Sequence, residues 1–123
     1  MEFYICERCG NIISKIKSSG VPVVCCGQNM TKLEAGTSDG AVEKHVPVIV
    51  KDGNKIAITV GSVEHPMSEA HLIEWIAVET TKGSQCKMLK AADEPKAEFL
   101  MAAGEEFVRA YAYCNLHGLW MAE

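Results

Sequence analysis

Residues 107–118 of the chain read FVRAYAYCNLHG, and the interpretation of the whole sequence starts from this stretch. Its first seven residues alternate in the way that β-strands do, and Gly118 then marks a turn. Cys114 and His117 therefore lie three residues apart, where a strand ends and a loop begins. A strand end fixes the first side chain, and a tight turn can fold the second back onto the same metal ion. For an isolated pair of this kind, a buried cysteine and a surface histidine are the ordinary interpretation.

Three further histidines change that interpretation. His45, His65 and His71 lie in the same region of the chain and complete the four histidines of the sequence. Each is expected at a loop end, where a β-sandwich can bring separated segments together. One thiolate and four imidazoles are too many ligands for a closed tetrahedral zinc site. The set favours a transition metal of higher coordination, and iron fits it best.

Length and composition limit the possible classes of protein. The chain has 123 residues, 48% of them hydrophobic, which suffices for one ordinary domain or for one small and one medium domain. The sequence does not open with a charged and then apolar segment, and no run is long enough to cross a membrane. We therefore expect a cytoplasmic protein that does not bind membranes. The net charge of −4 argues against nucleic acid as a partner.

The sequence has six cysteines, and their pattern favours metal ligands over disulfides, because the cytoplasm keeps thiols reduced. Four of them form two pairs near the start of the chain, Cys6 with Cys9 and Cys25 with Cys26. The first pair has the spacing of a metal-binding knuckle. The second pair is adjacent, so both sulfurs reach one metal only if the backbone bends there, and Gly27 favours that bend. A unit of about 36 residues needs a metal for stability, and sulfur ligands alone leave zinc and iron equally open.

A polar segment flanked by glycines, residues 36–40, is predicted to link this unit to a second one. Beyond it the sequence predicts an all-β sandwich, because short strands recur with turn signals between them. A single helical turn is expected at residues 68–71. The predicted strands cover residues 46–50, 55–60, 73–80, 85–89, 97–101 and 107–114, with a hairpin between the first two. Cys86 falls within the fourth strand and is expected to pack as a small apolar residue.

Taken together, these residues resemble those of the desulfoferrodoxins, the two-iron class of superoxide reductases. The resemblance extends over the whole chain and includes every ligand position. An adjacent cysteine pair, combined with Cys-x-x-His and three spaced histidines, makes it specific. The motifs that carry it are Cys6 with Cys9, Cys25 with Cys26, the run Glu43-Lys44-His45-Val46-Pro47, the run His65-Pro66-Met67, His71, and residues 114–120.

The resemblance implies two domains and two irons per chain. Residues 1–36 would form a desulforedoxin-like domain whose iron is held by four cysteine thiolates. Residues 37–123 would form an immunoglobulin-like sandwich with a catalytic iron. In that second site the imidazoles would lie in one plane, with the sulfur axial and the sixth position open. Its ligands would be His45, His65, His71, His117 and Cys114. The implied activity is the one-electron reduction of superoxide to hydrogen peroxide without dismutation, in a homodimer served by an electron donor such as rubredoxin.

Two charged residues beside His45 receive roles from the same resemblance. Glu43 would close the sixth position of the resting ferric form, and Lys44 would attract superoxide. Without the resemblance, a Glu-Lys dipeptide on a loop is most simply a pair of solvated charges. Because the net charge of the chain is negative, an anionic substrate needs local positive charge of this kind. The backbone N–H groups of Leu116 and His117 are expected to hydrogen-bond the thiolate sulfur and to moderate its electron donation.

Two other functions are compatible with the residues alone. A non-catalytic iron electron-transfer protein would use the same ligands, but it has no need of an open sixth position. A zinc-binding interaction module would use the four N-terminal cysteines only as structural ligands. Colour separates such a module from an iron protein, because zinc sites are colourless whereas ferric thiolate sites absorb visible light.

Overall fold

A computed structural model describes residues 1–38 and 40–123, so Asp39 of the predicted linker lies outside the described residues. The described chain consists mainly of short β-strands, with one helix of a single turn. The strands are β1 (Glu2–Ile5), β2 (Ile12–Lys15), β3 (Val24–Cys25), β4 (Gln28–Asn29), β5 (Thr31–Lys32), β6 (Pro47–Asp52), β7 (Lys55–Val60), β8 (Ile73–Thr80), β9 (Gly83–Met88), β10 (Lys96–Leu100), β11 (Phe107–Cys114) and β12 (Gly118–Ala122), and the helix is α1 (Val42–His45). No helix in the described ranges is long and apolar enough to cross a membrane.

The strands group into two compact units, Met1–Glu34 and Ala35–Glu123. In the first unit, β1 lies between β2 and β5 in an antiparallel sheet, while β3 and β4 form a separate hairpin. Its buried side chains are those of Phe3, Cys6 and Met30. So small a core cannot offset the conformational entropy that the chain loses on folding, so this unit needs a metal for stability.

The second unit is a sandwich of two antiparallel sheets. One sheet has the strand order β10-β7-β6, and the other has the order β12-β11-β8-β9. The inner faces of the two sheets share one apolar core, which includes Ile58, Ile76 and Phe99. Along β7, buried and more exposed residues alternate, which is the pattern of a strand with one face in a core. The predicted all-β architecture, with a small first domain and a sandwich, is confirmed.

In the second unit the observed strands agree with the predicted ones to within a few residues, with two differences. β12 was not predicted, although it pairs with β11 directly across the turn that follows Cys114. The single helical turn is α1 and does not lie at residues 68–71. There the backbones of Ser68 and His71 donate to each other, at 3.0 and 3.2 Å, which closes a tight loop. In a helix, by contrast, each backbone N–H donates to the carbonyl four residues earlier, and no two residues exchange bonds.

The prediction for Cys86 is wrong. This residue lies on β9, which is at the edge of its sheet and pairs with β8 alone. Most residues of β9 are exposed to solvent, and Cys86 is one of them. An edge strand has a neighbour on one side only, so a small side chain on it receives little cover.

Three connections at one end of the sandwich carry the residues that the sequence singles out. α1 leads into β6, a long loop joins β7 to β8, and a short loop joins β11 to β12. The strand pairings bring these segments to the same end, because Pro47 lies opposite Val60, and Cys114 lies opposite both Ile73 and Gly118. The two sheets therefore hold three separate loops around one point.

Candidate metal centres

Four cysteines of the first unit converge on one point. The sulfurs of Cys6, Cys9, Cys25 and Cys26 all lie within 4.8 Å of one another. The Cys9 and Cys25 sulfurs are 3.6 Å apart, and the N–H of Cys9 donates to the Cys6 sulfur at 3.5 Å. Nδ2 of Asn11 donates to the Cys25 sulfur at 3.7 Å. These sulfurs form a set that one metal ion can span.

The adjacent pair reaches this common point because the backbone bends there, as predicted. Cys26 has a φ of 52° and Gly27 has a φ of 75°. Two successive left-handed residues turn the chain sharply, so the side chains of Cys25 and Cys26 no longer point to opposite faces of a strand. The bend closes the β3–β4 hairpin, in which Cys25 pairs with Gln28.

The crowded sulfurs affect one another's protonation. A hydrogen bond from the Cys9 backbone lowers the pKa of Cys6 to about 6. Hydrogen bonds with Cys9 and Cys6 raise the pKa of Cys26 to about 12, and bonds with Cys6 and Cys9 raise that of Cys25. Cys6 therefore forms a thiolate readily, and Cys25 and Cys26 then resist losing their protons. A bound cation removes this conflict by neutralising the thiolates, so the four residues fit a tetrathiolate metal centre.

Four histidine rings form a square at the end of the sandwich. Taken in the order His45, His65, His71, His117, neighbouring ring centroids lie 4.6 to 5.0 Å apart and neighbouring planes stand at 73° to 83°. The diagonal from His45 to His71 is longer, at 6.4 Å. Four similar sides and a longer diagonal are expected of four imidazoles placed around a single point. This geometry agrees with the planar arrangement that the resemblance implies.

The ring nitrogens that face the centre of the square are free to bind a cation. Nδ1 of His45 donates to the Ala41 carbonyl at 2.7 Å, and Nδ1 of His65 donates to the Pro66 carbonyl at 2.6 Å. Each Nε2 therefore carries a lone pair, yet these two Nε2 atoms lie only 3.2 Å apart. Nδ1 of His117 lies 3.1 Å from Nε2 of His45. The Nε2 lone pairs of His45 and His65 repel each other at 3.2 Å unless a cation binds to both, so the donor set itself fits a metal ion.

The sulfur of Cys114 joins this set. Cys114 is fully buried, and its sulfur lies within 4.8 Å of ring nitrogens of the first three histidines and 3.7 Å from Nδ1 of His117. Burial raises the pKa of Cys114, whereas the backbone N–H groups of Leu116 and His117 lower it. Both N–H groups therefore favour the thiolate form of Cys114, while the hydrogen bonds to sulfur that the sequence predicts stay a prediction.

Burial also favours the neutral form of three of the histidines. It lowers the pKa of His65 to about 4, and it lowers the pKa of His45 and of His71. The neutral imidazole is the form that binds metals, so the second unit presents its nitrogens ready for coordination at neutral pH. Trp120 stacks on the ring of His45 at a centroid distance of 4.9 Å and covers that side of it.

The two charged candidates, Glu43 and Lys44, are solvent-exposed residues of α1. In addition to burial, the positive charge of Lys44 lowers the pKa of His45 and of His71, so this charge acts at the histidine square. The negative charge of Glu43 has the opposite effect on His45. The backbone of this turn is anchored to the next loop, because the Glu43 carbonyl accepts a hydrogen bond from the N–H of Val63 at 2.8 Å.

Two glycines that give no chemical signal in the sequence pack closely around the square. A Cβ atom at Gly61 would lie 2.5 Å from the Glu43 carbonyl oxygen. A Cβ atom at Gly40 would lie 3.2 Å from ring atoms of both His45 and Trp120. A larger residue at either position would displace α1 or the rings. In the sequence Gly40 stands out only as part of a linker, and Gly61 only as the end of a strand.

Both units match known families. The family model for desulfoferrodoxin matches residues 37–123, and the one for the desulfoferrodoxin N-terminal domain matches residues 1–33. The chain belongs to the desulfoferrodoxin family. The four-cysteine set and the set of four histidines and one cysteine match the two iron centres of desulfoferrodoxins.

Similar proteins support this family over the full length of the chain. The desulfoferrodoxin of Nitratidesulfovibrio vulgaris is 52% identical over 122 residues, which cover 99% of this chain and 95% of that protein. The superoxide reductase from Treponema pallidum has a crystal structure that matches with a TM-score of 0.84 and 33% identity, over 98% of each chain. A superoxide reductase from Giardia intestinalis, described as 1Fe-SOR, matches with a TM-score of 0.57 and 36% identity, over 65% of this desulfoferrodoxin and 95% of its own chain.

Proposed function

We propose that this desulfoferrodoxin reduces superoxide to hydrogen peroxide at an iron in its second unit, without dismutation. The observation that carries the proposal is the square of four imidazoles with a buried thiolate beside it. The superoxide reductases among its structural relatives support the same activity. Five protein ligands leave one position of a six-coordinate metal for a small substrate.

The proposed ligands are His45, His65, His71, His117 and Cys114. Iron bound by them supplies the one electron that superoxide needs. Because an imidazole ligand carries no negative charge, the Cys114 thiolate would be the only anionic ligand in the set, and the backbone N–H groups of Leu116 and His117, which lower its pKa, would temper its electron donation. The Nδ1–H groups of His45 and His65 donate to backbone carbonyls, which fixes both the tautomer and the direction of each ring.

We assign Lys44 to the attraction of superoxide and Glu43 to the closing of the sixth position. The exposed ammonium of Lys44 already acts on the pKa values of two histidines of the square, so it can also act on an anion that approaches them. Superoxide is negative and hydrogen peroxide is neutral. The same charge that draws the substrate in therefore does not hold the product.

The two units have different roles in this proposal. Residues 1–36 form a tetrathiolate iron domain, and residues 37–123 form the catalytic domain. The exposure of Cys9 and Cys26 supports an exchange of electrons with an external donor such as rubredoxin, because the donor can approach these sulfurs closely. The family resemblance supports a cytoplasmic homodimer.

The product balance of the reaction tests the proposed activity. Fully reduced protein is mixed with superoxide without air, and both peroxide and dioxygen are measured. Reduction gives one hydrogen peroxide for each superoxide and no dioxygen, whereas dismutation gives one dioxygen for every two superoxide ions. We expect the first result. Release of dioxygen would indicate dismutation, and superoxide decay at the rate of buffer alone would favour a pure electron-transfer protein.

A further inference from the structure

The side chain of Asn115, the residue after Cys114, reaches across to the loop that carries His71. Its Oδ1 accepts a hydrogen bond from the N–H of Leu72 at 3.0 Å, and its Nδ2 donates to the carbonyl of Ala70 at 3.0 Å. The backbone N–H of Asn115 also donates to the Leu72 carbonyl, at 3.2 Å. These three bonds hold the backbone of Ala70 and Leu72, the residues on either side of His71.

The chemistry of the amide fits this place closely. A backbone N–H can only donate and a carbonyl can only accept, so the two side-chain bonds require one acceptor and one donor on the same short side chain. Asparagine supplies both. An aspartate would accept from Leu72 but could not donate to Ala70, and an alanine would make neither bond.

The ring of His71 has less support of its own than the rings of His45 and His65. The rings of His45 and His65 are each fixed by a hydrogen bond from Nδ1 to a carbonyl. No such bond to the ring of His71 is found among the described residues, and its Nε2 is buried without a hydrogen-bond partner there. The direction of this ring is therefore set mainly through its backbone.

The backbone around His71 forms a tight local turn. Ser68 and His71 close a tight loop through their own backbones, and the Ser68 hydroxyl adds a bond to the His71 carbonyl at 3.3 Å. These bonds are local and shape the turn around His71, whereas the bond from Val63 to the Glu43 carbonyl ties the loop to α1 eight residues before His71. The bonds of Asn115 span 43 and 45 positions of the chain and tie the loop to the segment that carries Cys114.

We infer that Asn115 positions His71 for metal binding, by clamping the β7–β8 loop to the β11–β12 loop. The inference rests on the ligand set of the proposed function. A clamped loop loses less conformational freedom when the metal binds, so the clamp raises the affinity of the site without contacting the metal. Asn115 is thus a positioning residue, and its effect is confined to the second unit.

Iron release from the complete two-iron protein tests this role. A chelator is added to wild type, Asn115→Ala and Asn115→Asp, and the visible bands of both centres are followed. Asn115→Ala should speed iron loss from the second unit by roughly 10- to 100-fold, the usual cost of losing a residue that orients a ligand. Asn115→Asp should be intermediate, because it keeps the bond to Leu72. The tetrathiolate centre should lose iron at the wild-type rate in every variant.

Two further variants separate positioning from general stability. Asn54→Ala changes an exposed asparagine in the hairpin between β6 and β7, at the other end of the sandwich, and should leave both release rates unchanged. Ser68→Ala weakens only the local loop and should have a smaller effect than Asn115→Ala. Hydrogen exchange should show a faster amide at Leu72 in Asn115→Ala, together with a shifted visible band of the second centre.

The inference is overturned if Asn115→Ala keeps the wild-type band and the wild-type release rate. It is also overturned if both centres lose iron equally faster, because that result indicates a loss of overall stability. If Asn115→Ala does not fold, the test uses Asn115→Asp instead. A wild-type rate of iron release from the second unit of that variant overturns the inference. None of these measurements uses superoxide. A protein that holds iron normally but does not reduce superoxide would refute the proposed reaction and leave the role of Asn115 standing.

Discussion

The four-cysteine centre of the first unit and the histidine square of the second differ in what holds their ligands in place. Around the cysteines there are short strands and two buried side chains, Phe3 and Met30, and Cys9 and Cys26 are exposed. Around the histidines there is a sandwich with a full apolar core, and His45, His65 and Cys114 are buried. The first fold therefore depends on its metal, whereas the second fold forms without a metal and presents a prepared set of ligands.

Removal of both metals should show the largest difference between the units. The first unit should unfold, because metal binding at such sites contributes on the order of 10 kcal/mol and little else holds this chain segment. The second unit should stay folded on its apolar core. Hydrogen exchange of the metal-free protein should show unprotected amides in β1 and β2 and protected amides in β8 and β11. If the amides of β1 and β2 stay protected without metal, the first unit does not depend on its metal and the difference between the units is refuted.

Replacement of the Cys114 sulfur should affect one centre alone. Cys114→Ser should abolish the visible thiolate band of the second centre, because serine at this buried position supplies no thiolate. The spectrum of the tetrathiolate centre should not change. The matched control is Cys86→Ser, which replaces an exposed cysteine on the edge strand β9 and should leave both spectra intact. If Cys114→Ser altered both spectra, the division of ligands between the units would be wrong.

A single methyl group should show how tightly the second unit holds α1. Gly61→Ala places a carbon 2.5 Å from the Glu43 carbonyl oxygen, so the backbone must shift. Overpacking of this kind costs about 1–3 kcal/mol, and the free energy of unfolding of the second unit should fall by that amount. Chemical denaturation measures the change. Ser62→Ala removes only a 3.2 Å hydrogen bond to the same carbonyl and should cost less. Equal effects of the two changes would count against the steric argument.

Removal of the Lys44 charge should have the smallest structural effect of these changes and should alter only the reaction rate. Lys44→Ala should leave the iron content and both spectra intact, and it should slow the second-order reaction with superoxide by about ten- to a hundredfold. The rate should also depend less on salt, because the variant has less electrostatic attraction for superoxide that salt could screen. Lys82→Ala, which makes the same charge change in the turn between β8 and β9, is the control. If the two variants react at equal rates at every ionic strength, Lys44 is only a solvated surface charge and does not attract superoxide.

The sequence predicted the ligands better than it predicted their surroundings, for a physical reason. Cysteine and histidine are rare and chemically distinct, so their spacing alone indicated both centres, and alternation located most of the strands. The exposure of Cys86 depends on the place of β9 at a sheet edge, which alternation does not reveal. Gly40, Gly61 and Asn115 act through contacts with loops far away in the chain. Such contacts exist only after folding, so a single sequence carries no local signal for them.

The order in which the two centres react with superoxide tests the central claim most directly. Fully reduced protein is exposed to a pulse of superoxide below the amount of protein, and both visible bands are followed in time. The band of the four-histidine, one-cysteine centre should appear first, at a rate that is proportional to the superoxide concentration, while the tetrathiolate band stays absent during that phase. Oxidation of the tetrathiolate centre first, or of both centres at the same concentration-dependent rate, would contradict the assignment of the reaction to the second unit.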